Sequence, residues 1–273
     1  MTKAADIVAI LNEHFPEKLA VAGDPVGWQL GDQQQEVKRV LTTLDVRPNV
    51  VAEAIAKNVD LIVSHHPLIF RPAKNLDLAN PQYRMYAELL KAGIGVYAIH
   101  TNSDKADNGS SQWEAEDLGL QEIQPFCSDK DGIAIGRQGV LEKALTARQF
   151  ADYVAQHMGL HYVRLIAGNN EKIVKSVGLV CGDGNKFWPQ AVQAGLDAYV
   201  TGDVYYHTGH DMIANDLVVV DPGHYTEKIF ADRITPMLTA WCQKAKQQVL
   251  VIKSEAVTDP FQNIFEWNKK DNF

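Results

Sequence analysis

Apolar runs of strand length alternate with helical patterns along the chain, and this rhythm limits the fold more than any other feature of the sequence. The strand-like runs lie at residues 40–46, 60–64, 93–99, 176–181, 196–201 and 216–221. Apolar residues at helical spacing occupy residues 49–58, 82–93 and 146–159. The last of these segments opens with Thr146 and Gln149, spaced as a capping box. The pattern predicts an α/β fold with mixed, largely parallel sheets.

One polar, glycine-containing stretch interrupts this rhythm at residues 124–139, which we interpret as the connection between two halves. We therefore predict an N-terminal α/β domain over residues 1–126 and a C-terminal α/β domain over residues 127–273. We expect the C-terminal segment of the second domain to pack back on the first. The tail at residues 267–273 is expected to fray.

Composition argues against several classes of protein. A formal net charge of −8 would repel a nucleic-acid backbone, so no nucleic-acid partner is expected. Residues 1–15 mix charges among apolar residues and do not resemble a signal peptide, and no later segment is apolar enough to span a bilayer. These features predict a cytoplasmic protein without a membrane partner. The three cysteines are widely spaced, which favours neither a disulfide framework nor a thiolate zinc site.

Two adjacent histidines, His65 and His66, follow the apolar run at residues 60–64. Side chains alternate across a strand, so a strand that continued through the pair would point the two rings in opposite directions. Ligands of parallel sheets collect at the carboxyl ends of the strands, where each ring could serve a different ion of a two-metal site. The alternative is a pair of solvated loop histidines, because a His-His pair alone is a weak motif.

The run at residues 93–99 ends in the same way, in His100 and Asp104. If the two strands are parallel, both ends lie at one edge of one sheet. Asp104 is then a candidate carboxylate ligand, and His100 a candidate ligand or a partner of the ligands. An ordinary Asx turn is the alternative for Asp104, since the surrounding residues are typical of turns.

A third run, at residues 216–221, leads into His224 and Glu227. Their spacing of three places both side chains on one face of a helical turn, within reach of one ion. The alternative is a helix that carries an acidic residue in its first turn. Because three strand ends each supply a histidine, we favour a joint metal site for two divalent ions of zinc, iron, manganese or magnesium.

A fourth strand end carries Asp203, His207 and His210. These residues are interpreted as lining the pocket or supporting the ligands, with a surface helix as the alternative. The segment CGDGN at residues 181–185 could hold an anion through its backbone N–H groups, but it lacks the lysine of a P-loop and is better explained as a tight turn.

Several motifs occur in an order that resembles the Ngg-interacting-factor-three-like dinuclear metal-centre family, also labelled GTP cyclohydrolase I type 2 homologues. They are GDPVGWQLGD (23–32), LDV (44–46), DLIVSHHPLIF (60–70), HTNSD (100–104), CGDG (181–184), YVTGDVYYH (199–207) and DPGHYTE (221–227). The resemblance implies two related α/β domains that face each other across a cleft, with two metal ions bound between them. It also implies a ring-shaped homohexamer.

Carried over by position, the resemblance makes His65, His66, Asp104, His224 and Glu227 the metal ligands. Two departures are visible. Many members space the last two ligands by four residues rather than three. Many also have a glycine followed by an Asn-Asp pair after the aspartate ligand, where this chain reads NGSSQW at residues 108–113.

Hydrolysis is the natural reaction class of a two-metal site. The family label implies a nucleotide, GTP, opened at its imidazole ring with loss of formate. In this hypothesis Asp104 or Glu227 bridges the ions, and His100 or His207 acts as the catalytic residue that moves protons. The alternatives are a non-enzymatic metal-binding scaffold or chaperone, and a metal-dependent phosphoesterase. Residue types alone do not decide among them.

Overall fold

Two mixed sheets and the helices around them form the fold, which the computed structural model describes over residues 1–262. The tail at residues 267–273 lies outside the described residues. The strands, in chain order, are β1 (Gly27–Leu30), β2 (Arg39–Thr43), β3 (Leu61–Ser64), β4 (Gly95–Ala98), β5 (Gln121–Ser128), β6 (Ala134–Thr146), β7 (Arg164–Ile166), β8 (Ile173–Leu179), β9 (Ala198–Val200), β10 (Val218–Asp221) and β11 (Leu250–Lys253). The helices are α1 (Ala4–His14), α2 (Pro48–Ala56), α3 (Pro81–Ala92), α4 (Thr101–Asp104), α5 (Ser110–Asp117), α6 (Ala147–His157), α7 (Trp188–Gln193), α8 (Tyr206–Ala214) and α9 (Ile229–Lys244).

The first sheet has the strand order β1-β4-β3-β2-β11. Strands β4, β3, β2 and β11 are parallel, and β1 closes one edge in the antiparallel direction. Residues Ser64 and Ala98, which end β3 and β4, lie opposite each other. The carboxyl ends of these two strands therefore open at the same point of the sheet edge.

Helices cover both faces of this sheet, which explains why its inner strands are continuous apolar runs rather than alternating ones. Helices α1 and α9 pack on one face, where Ile7 and Phe230 belong to the same core as the strand residue Tyr97. Helices α2 and α3 pack on the other face through residues such as Val51 and Leu89. The C-terminal segment thus lies on the first sheet, because β11 is one of its strands and α9 packs on one of its faces.

The second sheet has the order β5-β6-β8-β9-β10-β7. Its central strands β8, β9 and β10 are parallel, and the remaining pairings are antiparallel. Residues 124–139, interpreted from the sequence as a connection between two halves, lie in the β5–β6 hairpin of this sheet. Half of the residues of β5 are exposed, and the strand lacks the alternating apolar pattern by which a strand is recognised.

Helix α5 belongs to the cores of both sheets. Trp113 of this helix packs in the core of the first sheet. Leu118, the residue directly after the helix, packs in the core of the second. Ion pairs between Arg233 and Asp117 and between Lys105 and Asp131 also cross between the halves. The division into two domains at residue 126 stays a prediction.

The α/β class predicted from the sequence is confirmed, with two mixed sheets flanked by helices. The capping box at the start of α6 is confirmed too, since Thr146 and Gln149 each accept a hydrogen bond from the other's backbone N–H. Among the helices of residues 1–262, none combines the length and apolar character that a bilayer crossing needs.

Candidate metal centre

The carboxyl ends of β3 and β4 deliver four of the candidate site residues. Strand β3 ends at Ser64, so His65 and His66 lie in the bend that follows it. The alternation of a strand therefore stops before the pair, and the two rings do not serve separate surfaces: their centroids are 5.1 Å apart and both face one cluster. His100 follows β4, and Asp104 ends the short helix α4.

The remaining two candidates come from the second sheet. After β10, Gly223 turns the chain with a φ of 85°, a left-handed conformation that glycine adopts without strain. A 3₁₀ turn over His224–Lys228 follows and carries His224 and Glu227. Glu227 is buried, whereas the side chain of His224 keeps 34% of its surface exposed. Residues from both sheets thus meet at one place.

Six residues form three groups in which the ligand atoms lie within 4.8 Å of one another, close enough to hold a metal ion. The first group is His65, Asp104 and Glu227, and the second is His66, His224 and Glu227. The third joins His100 to His65 and His66. Glu227 belongs to two groups, one through each of its carboxylate oxygens.

Two buried polar atoms of the first group have no hydrogen-bond partner among the described residues. These atoms are His65 Nε2 and Asp104 Oδ1. They lie 3.8 Å apart, and His65 Nε2 is 3.6 Å from Glu227 Oε1. Ligand atoms about 2 Å from a shared ion are separated by roughly 3 to 4 Å. An orphaned buried polar atom is destabilising, so these residues fit a cation between them.

The same kind of hydrogen bond orients all four imidazoles. Each ring directs Nδ1 at an oxygen: His65 at the carbonyl of Ile99 (2.9 Å), His66 at Asp45 (2.7 Å), His100 at Asp24 (2.9 Å) and His224 at Asp203 (2.6 Å). A proton held at Nδ1 leaves Nε2 as the ligand atom. This arrangement is typical of histidines that bind metals in proteins.

The second group is held together by hydrogen bonds between its carboxylate and its two imidazoles. Glu227 Oε2 lies 2.8 Å from Nε2 of His66 and 3.0 Å from Nε2 of His224. Burial lowers the pKa of His66, but hydrogen bonds to Asp45 and Glu227 and their charges outweigh it and raise the pKa to about 10. The hydrogen bond to Glu227 raises the pKa of His224 to about 9. An ion that binds here must therefore displace protons.

The pKa values of the two carboxyl groups of the cluster are shifted in opposite directions. Burial raises the pKa of Asp104, and the charge of His65 opposes this only in part. Burial also acts to raise the pKa of Glu227, but His65 and the hydrogen bonds from His224 and His66 hold it well below its usual value. Glu227 is accordingly the anion of the metal-free cluster.

Glu114 is a further buried acid beside the cluster. Burial raises its pKa to about 7, and its Oε1 has no hydrogen-bond partner in the described part of the chain. Glu114 was not predicted as a site residue, because it lies in a polar helix, α5, with no apolar strand before it.

The segment CGDGN forms a tight turn that packs against the ligands. Gly182 has a φ of 65°, and a Cβ built on it would lie only 1.9 Å from Glu227 Oε1. The position thus requires glycine for two reasons, its backbone conformation and the approach of the carboxylate. The tight turn was the interpretation favoured from the sequence.

The structure brings His65, His66, His100, Asp104, His224 and Glu227 together, but it does not bring His207 into this cluster. His207 lies exposed on α8 with its ring beside Tyr206, so its role in moving protons stays a prediction. Asp203 supports His224, in keeping with its interpretation as a partner of the ligands. The sequence reasoning missed two other partners, Asp24 and Asp45.

Comparison with known proteins independently supports the fold and shows the family. A family model described as Duf34/NIF3 (NGG1p interacting factor 3) matches residues 2–260. A Streptococcus pneumoniae protein named GTP cyclohydrolase 1 type 2 homolog is 35% identical over 264 residues, with 96% of this chain and 99% of the relative covered. A Lactococcus lactis protein of the same name is 38% identical, with 96% and 100% covered. Among solved structures, a Bacillus cereus protein related to NIF3 matches with a TM-score of 0.90 and 26% identity, over 96% of this chain and 99% of that one.

Proposed function

Since the chain belongs to the Duf34/NIF3 (NGG1p interacting factor 3) family, we propose that it is a dinuclear metal protein that hydrolyses a nucleotide such as GTP. The observation that carries the proposal is the sharing of Glu227 between two ligand groups. His65, Asp104 and Glu227 would hold one divalent ion, and His66, His224 and Glu227 the other. The relatives named GTP cyclohydrolase 1 type 2 homolog support the choice of substrate.

The donor set supports a transition metal at this site. Imidazole nitrogen suits zinc and iron, whereas magnesium prefers ligand sets made of oxygen alone. Each of the two groups contains at least one imidazole, and the second contains two, from His66 and His224. We therefore expect zinc or iron to bind more tightly than magnesium.

Ligand count favours catalysis over storage. Each group supplies three protein ligands, which leaves a coordination position for water or substrate, whereas structural sites are usually closed by four. Two divalent ions held here would supply Lewis-acid chemistry that lowers the pKa of a water molecule and polarises the bond to be cleaved.

His100 is the better placed of the two candidates for proton transfer. Its ring lies 5.1 Å from that of His65 and 5.4 Å from that of His66, centroid to centroid. Asp24 accepts a hydrogen bond from its Nδ1 and also from Thr101. The ring is thereby oriented with Nε2 as the atom that can take up or release a proton.

Replacement of His65 tests the proposed activity. We expect His65→Ala to lose the turnover of GTP and one of the two bound ions, because its Nε2 is a ligand with no substitute in the first group. The measurement is the metal content of the purified protein, together with turnover of GTP and a panel of phosphomonoesters.

His210→Ala provides the control, since it removes an exposed imidazole outside the three groups. Full activity and two ions in the His65→Ala protein would rule out this assignment. Turnover of phosphomonoesters without turnover of GTP would favour a phosphoesterase.

We further propose that the chain assembles as a ring-shaped homohexamer, which follows from the family resemblance. Exposed apolar side chains at Phe70, Leu76 and Leu78 supply surface that assembly could cover. Six chains of 30.3 kDa give a particle of about 182 kDa. Size-exclusion chromatography with light scattering measures this mass, and a value that corresponds to one or two chains would contradict the proposal.

A further inference from the structure

A pocket of about 350 Å³ opens over one side of the metal centre only. Two of the candidate ligands, His66 and His224, line it, and their side chains are 24% and 34% exposed. The ligands of the other group do not line it, and the side chain of His65 has no exposed surface. A molecule that reaches the centre through this pocket therefore meets the His66–His224 side first. The volume is in the range of pockets that bind small organic molecules.

Arg47 supplies a positive charge to this pocket. It is exposed at the start of α2, and it forms no ion pair with any residue in the range 1–262. The three acids of the pocket have other partners: Asp45 accepts hydrogen bonds from His66 and Thr258, Asp203 accepts one from His224, and Asp259 accepts one from a backbone N–H. The guanidinium of Arg47 is thus available to pair with an anion, and its planar fork matches the oxygens of a phosphate group.

Two aromatic side chains, Tyr225 and Phe261, line the same pocket. Phe261 is 70% exposed, so most of its ring surface is available for contact with a bound molecule. The hydroxyl of Tyr225 accepts a hydrogen bond from the backbone of Thr258, and Asp259 accepts one from the backbone of Phe261. These contacts tie the two aromatic residues to one segment, where their rings offer surface on which a planar ring can stack.

We propose that this pocket is the binding site for the phosphate-bearing end of a nucleotide, with Arg47 paired to the phosphate and the base against Tyr225 and Phe261. The inference rests on the proposed function and adds to it the pocket that holds the phosphate and the residue that selects it. Arg47 then acts as a specificity residue: it lowers the Kd of nucleotides but not of the corresponding nucleosides.

Equilibrium binding tests this proposal without reference to turnover. Isothermal titration calorimetry on the zinc-loaded protein would compare GMP with guanosine. We expect Arg47→Ala to weaken the binding of GMP about 10- to 100-fold and to leave guanosine unchanged, because a charge-assisted, two-pronged contact is lost. Arg47→Lys keeps the positive charge without the planar guanidinium, so it should weaken the binding of GMP by an intermediate factor. Arg148→Ala, an exposed arginine that lines none of the pockets around the centre, is the control.

Metal content measured on each variant shows whether the centre is intact. Equal binding of GMP by the wild-type and Arg47→Ala proteins would overturn the proposal, as would a wild-type protein that binds no GMP. The proposed function fails separately: absence of any turnover, combined with binding of GMP that depends on Arg47, would leave this site in place and remove only the hydrolase assignment.

Discussion

Glu227→Gln is expected to abolish tight metal binding at both positions of the centre. Glu227 contributes one oxygen to each ligand group, and an amide is neutral, so the substitution removes an anionic ligand from two ions at once. We expect the affinity for zinc to fall by a factor on the order of 10² or more, and fewer than one ion per chain to be retained after dialysis. Metal content and calorimetric titration measure both quantities.

The metal-free form gives a second measure of the same substitution. Glu227 raises the pKa of His66 and His224, so Glu227→Gln should lower both, as followed by NMR titration of the ring protons. A histidine whose pKa is raised by folding stabilises the protein below pH about 6.5, and this contribution disappears as the pH rises through the folded-state pKa. The variant should therefore lose the most stability in mildly acidic solution.

Glu142→Gln is the matched control, because it changes an exposed glutamate on β6 that belongs to none of the ligand groups. Two ions retained by the Glu227→Gln protein at wild-type affinity would remove the shared carboxylate from the description of the site.

Gly182→Ala is expected to disrupt the centre although no ligand is removed. The added methyl group would lie 1.9 Å from Glu227 Oε1 and 2.7 Å from its Cδ, so either the turn or the carboxylate must move. We expect an affinity for zinc at least about 10-fold weaker, since ligands displaced by an ångström no longer share an ion. Calorimetric titration with zinc is the measurement.

Gly195→Ala separates this effect from the cost of the backbone conformation alone. Gly195 has a φ of 67°, close to the 65° of Gly182, but a Cβ there meets no atom within 4 Å. Both variants should be destabilised by about 1 kcal/mol through the left-handed conformation. Only Gly182→Ala should have a weaker affinity for zinc. Equal zinc affinity in the two proteins would show that the turn does not support Glu227.

The candidate ligands were predictable because each follows the end of an apolar run. His65, His100 and His224 all come directly or shortly after a strand, and parallel strands place such residues at one sheet edge. The sequence did not show that two different sheets contribute, since strand order depends on long-range pairing that local patterns do not encode. Only the resemblance to a known family supplied that arrangement.

The partners of the ligands were not predictable, for the same reason. Asp24 reaches His100 because β1 pairs with β4, with Gly27 opposite Ala98. Asp45 reaches His66 because β2 and β3 run in parallel. Both acids stand near a strand end in the sequence, but only the order of the strands identifies the histidine that each supports.

Local composition did not indicate the structural setting of the β5–β6 hairpin or of His207, whose role in moving protons stays a prediction. The β5–β6 hairpin is polar because much of β5 faces solvent. Its sequence was therefore interpreted as a connection between two halves. His207 follows a strand end as the ligands do, but it lies in the exposed part of α8. Position after a strand end therefore indicates a candidate site residue, and only the three-dimensional arrangement shows which candidates lie together.

Anomalous diffraction at the zinc edge, from crystals of the zinc-loaded protein, tests the central claim most directly. If Glu227 joins two ions, two peaks are expected, one on either side of its carboxylate. One should lie about 2.0 to 2.2 Å from the ligand atoms of His65 and Asp104, and the other at the same distance from those of His66 and His224. A single peak, or peaks remote from Glu227, would contradict a centre in which this carboxylate joins two ions.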